Sequence, residues 1–72
     1  MDRVDTKEIG KTAGLVWSYL DKNGRSSLNA LYRNLRVSKR LVDAAIGWLA
    51  REGKLSFSHE QRGTYVEIYE SK

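Results

Sequence analysis

The chain has 72 residues, and its 13 Lys and Arg against 9 Asp and Glu give a formal net charge of +4. With 40% hydrophobic and 31% charged residues, it is expected to form one globular domain over residues 1–72. The absence of cysteine excludes a disulfide scaffold, a thiolate metal site and a cysteine nucleophile. No apolar run approaches the ~20 residues of a membrane span, and no signal-peptide core follows Met1, so we expect a cytoplasmic protein.

The first predicted helix runs from about Asp5 to Lys22. Asp5 and Glu8, three residues later, resemble a capping box, which marks a helix start. One helix face collects apolar residues that we expect in the core, namely Ile9, Ala13, Val16, Trp17 and Leu20. Leu15 and Tyr19 lie four residues apart on the side directed away from that face, so a second, small apolar patch is predicted there.

Two further helices are predicted in quick succession. Ser27 is expected to cap a short second helix, and Ser38 is expected to cap a third helix that extends to about Glu52. The third helix carries a broad apolar stripe made of Leu41, Val42, Ala45, Ile46, Trp48 and Leu49. Its opposite side faces solvent and carries Arg40, Asp43, Ala44, Gly47 and Arg51.

Beyond Gly53 the apolar period changes from 3.6 to 2, which indicates β-strands. A hairpin with a charged tip at residues 60–63 is predicted. Arg25-Ser26 is a candidate third strand, because a two-stranded ribbon is marginally stable alone. All these elements are expected to share one core, composed of Trp17, Leu31, Leu35, Val37, Val42, Ile46, Leu49, Leu55 and Phe57.

The sequence gives little sign of catalysis. His59 is the single histidine, and the chain has no cysteine, so none of the common zinc ligand sets can be assembled. There is no glycine-rich phosphate loop and no Ser-His-Asp series. We therefore expect neither an enzyme, nor a cofactor, nor a small-molecule substrate. His59 and Trp48 each border an apolar face, so we expect His59 to be half-buried and Trp48 to pack in the core.

The order of three helices and a hairpin resembles a winged helix-turn-helix domain, an α+β fold in which three helices pack on a small antiparallel wing. Residues 27–38 resemble the first two elements of that motif, with the pattern Ser27-Leu28-x-x-Leu31-x-x-x-Leu35-x-Val37-Ser38. Residues 41–55 are similar to the recognition helix and its exit into the wing. Residues 9–17 and 45–54 further resemble a family of small stand-alone bacterial winged-helix proteins of undetermined role.

This resemblance implies that the third helix enters the major groove of duplex DNA and that the wing contacts the backbone. Five cations then occupy positions that face phosphates: Arg33, Arg36, Lys39, Arg40 and Arg62. Asp43, Ala44 and Gly47 stand where base-reading domains more often carry Arg, Asn, Gln or Ser, which leaves direct readout to Arg40. The sequence therefore predicts a module that binds duplex DNA weakly, such as a small transcriptional regulator.

The alternative is a protein-interaction or homodimerisation module on the same fold. The patch of Leu15 and Tyr19 needs a cover, which is either the C-terminal strand of the same chain or a second copy. Ala44 and Gly47 would permit the close approach of another helix, because small residues let backbones meet. Binding that weakens with salt would favour DNA, whereas a salt-insensitive dimer would favour a protein partner.

Overall fold

The computed structural model describes residues 5–69, which form three helices and a three-stranded antiparallel sheet. The helices are α1 (Thr6–Asn23), α2 (Leu28–Asn34) and α3 (Lys39–Arg51). The strands are β1 (Ser26–Ser27), β2 (Leu55–Glu60) and β3 (Gly63–Ile68). The predicted elements and their order are confirmed. No helix within residues 5–69 is long and apolar enough to cross a membrane.

Each helix begins at the cap that the sequence predicts. Asp5 accepts a hydrogen bond from the backbone N–H of Glu8 at 2.8 Å and caps α1. Ser27 caps α2 by accepting from the N–H of Ala30 at 3.1 Å. Ser38 caps α3 in the same way, and its Oγ accepts a hydrogen bond from the N–H of Leu41 at 3.3 Å. Because these side chains satisfy amide groups that have no partner inside the helix, they fix where each helix starts.

The sheet has the strand order β1-β3-β2. β2 and β3 form the predicted hairpin, in register from Leu55 opposite Ile68 to Glu60 opposite Gly63. β1 pairs with β3 through two residues, Ser26 opposite Val66 and Ser27 opposite Tyr65. The predicted third strand is thus present, one residue further along the chain than Arg25-Ser26.

The core lies between the helices and one face of the sheet. Fully buried side chains come from all three helices and from the central strand, and they include Val16, Leu31, Val42 and Val66. Trp17, Leu35 and Val37 are partly buried and pack against this cluster, together with Leu28, Tyr32 and Ile68. Burial of this shared apolar surface is the main term that holds the elements together.

Three burial predictions are wrong. Phe57 is 40% exposed and Trp48 is 39% exposed, although both were expected in the core. Phe57 does lie on the core face of the sheet, opposite the buried Val66. However, β2 is an edge strand, so Phe57 has a neighbouring strand on one side only. Trp48 lies at the border of the apolar stripe of α3, and only the centre of that stripe is buried. His59 is exposed rather than half-buried, and its Nδ1 lies 3.1 Å from Oγ1 of its cross-strand partner Thr64.

Candidate nucleic-acid interface

All five cations that were predicted to contact phosphates are exposed. Arg33 lies in the last turn of α2, and Arg36 lies in the connection between α2 and α3. Lys39 and Arg40 form the first turn of α3. Arg62 lies in the turn that joins β2 to β3. The helix-turn-helix segment thus contributes four of these charges, and the tip of the wing contributes the fifth.

None of these five charges is compensated by a salt bridge within residues 5–69. The ion pairs in that part of the chain join Arg25 to Glu60 at 2.8 Å and Lys54 to Glu52 at 3.7 Å. The cations on the predicted interface are therefore available to an external anion, whereas Arg25 and Lys54 already face carboxylates.

Tyr32 connects α2 to the first turns of α3. Its hydroxyl donates a hydrogen bond to Oδ1 of Asp43 at 2.6 Å, and the Lys39 Nζ lies 5.2 Å from the centre of its ring. Burial, followed by the hydrogen bond and the negative charge of Asp43, raises the pKa of Tyr32 from 10.0 to about 12. The hydroxyl is protonated at neutral pH, as in any tyrosine, and its hydrogen bond holds the Asp43 carboxylate against α2.

A shallow groove runs between α2 and the wing. Tyr32 and Arg62 line it from opposite elements, together with Ser27, Leu28, Asn29, Gly63 and Thr64. Lys39 of α3 does not line this groove, but its Nζ lies near the ring of Tyr32, so Tyr32 contacts a cation of α3 and shares a groove with the cation of the wing tip. This link was not foreseen from the sequence, because nothing in the spacing shows which side chains meet across α2 and the wing.

Arg36 has a backbone conformation that is rare for a residue other than glycine. Its φ is 56°, and it is the one non-glycine residue with positive φ within residues 5–69. Turns of helix-turn-helix motifs often contain glycine, for which this left-handed region carries no steric penalty. The short connection of residues 35–38 contains no glycine, and that is the sequence signal that could have indicated a strained residue here.

The placement of charges at the start of α3 is also locally unfavourable. The N-terminal end of a helix carries a partial positive charge, and the first turn of α3 contains Lys39 and Arg40 but no acidic residue. Like charges are thus placed together, and an anion bound there would relieve the repulsion.

The exposed side of α3 offers few groups for reading bases. Apart from its chain neighbours and the backbone of α3 itself, a methyl group built at Gly47 meets no described atom within 4 Å, so the surface there is open. Ala44 is partly buried, and the Asp43 carboxylate already accepts from Tyr32. Trp48 and Arg51 border a shallow groove at the far end of the helix.

The residues predicted as a partner surface on α1 differ in exposure. Leu15 is 45% exposed. Tyr19 is partly buried against the core, and its hydroxyl accepts a hydrogen bond from Asn34 Nδ2 at 3.0 Å. The same chain therefore covers part of the predicted patch and leaves Leu15 open. A surface that joins these residues to Ala44 and Gly47 stays a prediction.

Comparisons with known proteins agree with this architecture. A family model described as winged helix-turn-helix domain (DUF2582) matches residues 1–68. The uncharacterized protein MJ1608 of Methanocaldococcus jannaschii is 33% identical over 64 residues, which cover 85% of this chain and 90% of that protein. The solution NMR structure of protein BT2368 from Bacteroides thetaiotaomicron has a TM-score of 0.79 and 31% identity, over 90% of this chain and 79% of that one. The predicted fold is thereby confirmed, and the chain belongs to the winged helix-turn-helix domain family DUF2582.

Proposed function

We propose that this domain is a non-enzymatic module of the cytoplasm that binds duplex DNA through the first turn of α3 and the tip of the wing. The observation that carries the proposal is the position of Tyr32, which shares a groove with Arg62 of the wing tip and has Lys39 of α3 near its ring. Phosphate contacts made from two separate elements fix the orientation of a protein on the duplex. The helix-turn-helix order of α2 and α3 directs α3 toward the major groove in such an arrangement.

Backbone strain and unfavourable charge placement at the same surface support this proposal. Arg36 holds a left-handed conformation that glycine would adopt without strain. Lys39 and Arg40 lie where the helix dipole disfavours cations. Strain and unfavourable charge placement tend to concentrate at functional sites, where a ligand offsets them. A bound phosphate group would offset the charge repulsion at the start of α3, whereas the strain at Arg36 is a separate mark of this turn.

The expected binding is weak and has little sequence preference. Ala44 and Gly47 present no hydrogen-bonding side chain to a base edge, and Asp43 is engaged by Tyr32. Arg40 is the exposed residue of α3 that remains suited to reach a guanine. These features favour a chromosome-associated factor or a small transcriptional regulator that depends on backbone contacts.

An NMR titration with a mixed-sequence duplex at low salt tests the proposal and locates the interface together. Amide shifts are expected in residues 33–47 and at Arg62. Arg36→Ala and Lys39→Ala are expected to weaken binding to all sequences alike. Lys11→Ala, an exposed position on α1, removes the same charge and serves as the matched control. Absence of shifts in residues 33–47 and at Arg62, or an equal loss in Lys11→Ala, would refute the proposed interface.

A protein-interaction or homodimerisation module is the second candidate. The exposure of Trp48 beside the open surface at Gly47, and of Leu15 on α1, favours it. Sedimentation over a dilution series distinguishes the two functions. A salt-insensitive dimer without DNA binding would support this candidate, whereas an 8.2 kDa monomer at all concentrations would exclude the homodimer.

A further inference from the structure

Arg25 spans the face of the sheet that points away from the core. Its guanidinium carbon lies 4.2 Å from the centre of the Tyr65 ring on β3. Its Nη2 donates hydrogen bonds to Ser58 Oγ at 3.0 Å and to Glu60 Oε2 at 2.8 Å, both on β2. A single side chain that precedes β1 therefore contacts both of the other strands.

These contacts lie where the sheet loses its third strand. β1 pairs with β3 at Val66 and Tyr65 only, so the hairpin beyond Tyr65 is a two-stranded ribbon. Such a ribbon is marginally stable by itself. Arg25 reaches past the end of β1 and attaches to Glu60, the last residue of β2 before the turn that holds Arg62.

The same contact also affects the charge of the wing tip. Glu60 lies two residues from Arg62, and an uncompensated carboxylate there would repel phosphates. The ion pair at 2.8 Å places the positive charge of Arg25 against this carboxylate. The planar guanidinium also lies over the Tyr65 ring while its Nη2 donates to two acceptors, and the compact, more strongly hydrated ammonium of lysine stacks less well on an aromatic face.

We propose that Arg25 is a positioning residue for the wing: it holds the tip so that Arg62 faces the DNA backbone, and it makes no contact with DNA itself. This inference rests on the proposed function. It assigns Arg25 a role that differs from that of the five exposed cations, because its own charge is already used within the chain.

The first test uses the free protein. Arg25→Lys keeps the net charge but removes the planar fork, and the pair is exposed, so it contributes little to folding and the variant is expected to fold. In ¹⁵N relaxation measurements, the heteronuclear NOE of residues 61–63 is expected to fall in this variant. It is expected to stay unchanged in the matched control Arg51→Lys. Unchanged order at residues 61–63 in Arg25→Lys would overturn the proposal.

The second test is a double-mutant cycle with a mixed-sequence duplex at about 50 mM salt. Each phosphate contact contributes about −0.9 to the slope of log K against log salt. At this salt concentration, the loss of one contact therefore reduces affinity by up to about 15-fold. Arg25→Lys is expected to weaken binding by about three- to 15-fold in the wild-type background, and by less than about twofold when Arg62→Ala is already present.

The outcomes of the cycle separate the two proposals. If Arg25→Lys reduces duplex affinity as strongly in the Arg62→Ala background as in the wild type, Arg25 does not act through Arg62. That result would overturn the positioning role. Failure of the wild-type protein to bind any duplex would refute the proposed function, while the relaxation measurement still decides whether Arg25 holds the wing tip.

Discussion

Replacing Arg36 with glycine is expected to stabilise the fold while it weakens DNA binding. The φ of Arg36 is 56°, in the left-handed region where a side chain costs about 1–2 kcal/mol. Glycine removes this cost, but its greater freedom in the unfolded chain takes back about 0.4–1 kcal/mol. The expected net gain in unfolding free energy is about 0.5–1 kcal/mol, which raises Tm by about 2–8 °C in a domain of this size.

Thermal unfolding and duplex titration of two variants provide the assay. Arg36→Ala is the matched control, because it removes the same charge but keeps the Cβ that causes the strain. Arg36→Gly is expected to melt above the wild type, and Arg36→Ala is expected to melt at or below it. Both variants are expected to lose duplex affinity by the same factor. A Tm of Arg36→Gly at or below the wild-type value would refute the strain at this turn, and wild-type affinity in both variants would refute the phosphate contact.

Three further substitutions test packing, capping and the contact between α2 and α3. Leu49→Ala empties a core site that is 6% exposed and is expected to cost about 2–5 kcal/mol in urea unfolding, so a loss below about 1 kcal/mol would contradict its central place. Ser38→Ala removes the acceptor for the Leu41 N–H at 3.3 Å and is expected to cost about 1 kcal/mol, whereas Ser38→Thr keeps a hydroxyl and should cost clearly less; equal losses would show that the hydroxyl does not cap α3. Because the pKa of Tyr32 is about 12 in the folded chain and 10.0 ordinarily, its neutral form stabilises the fold below pH 10 and that contribution is lost as the pH rises from 10 to 12. The stability difference between wild type and Tyr32→Phe is therefore expected to narrow across that range in denaturant titrations, and a constant difference would contradict the raised pKa.

The helices and strands could be predicted because their signals are local. Asp5, Ser27 and Ser38 each combine a side-chain acceptor with a following apolar helix period, and each is observed as a cap. The change of period after Gly53 likewise placed the wing. The burial of residues at the edge of the core, however, depends on contacts between elements that are distant in the sequence. Periodicity assigned Phe57 to the correct face of β2, but its burial depends on what covers an edge strand, and here little does.

The candidate site could be predicted only in part for the same reason. The exposure of Arg40 and Lys39 follows from the apolar stripe on the opposite side of α3. The contact of Arg25 with Glu60 joins residues that lie 35 positions apart, and its formation depends on the register of all three strands. The left-handed turn at Arg36 depends on how α3 packs against α2. No spacing motif indicates the contact of Arg25 with Glu60, and the sequence sign of the turn at Arg36 is the absence of glycine from residues 35–38.

The salt dependence of wild-type affinity for a mixed-sequence duplex tests the proposed function most directly. About four effective phosphate contacts from the exposed cations predict a slope of log K against log salt of about −3.6, with binding that fades by physiological salt. Fluorescence anisotropy across a low-salt series measures this slope. A slope near zero, or no binding even at the lowest salt, would contradict phosphate recognition by α3 and the wing.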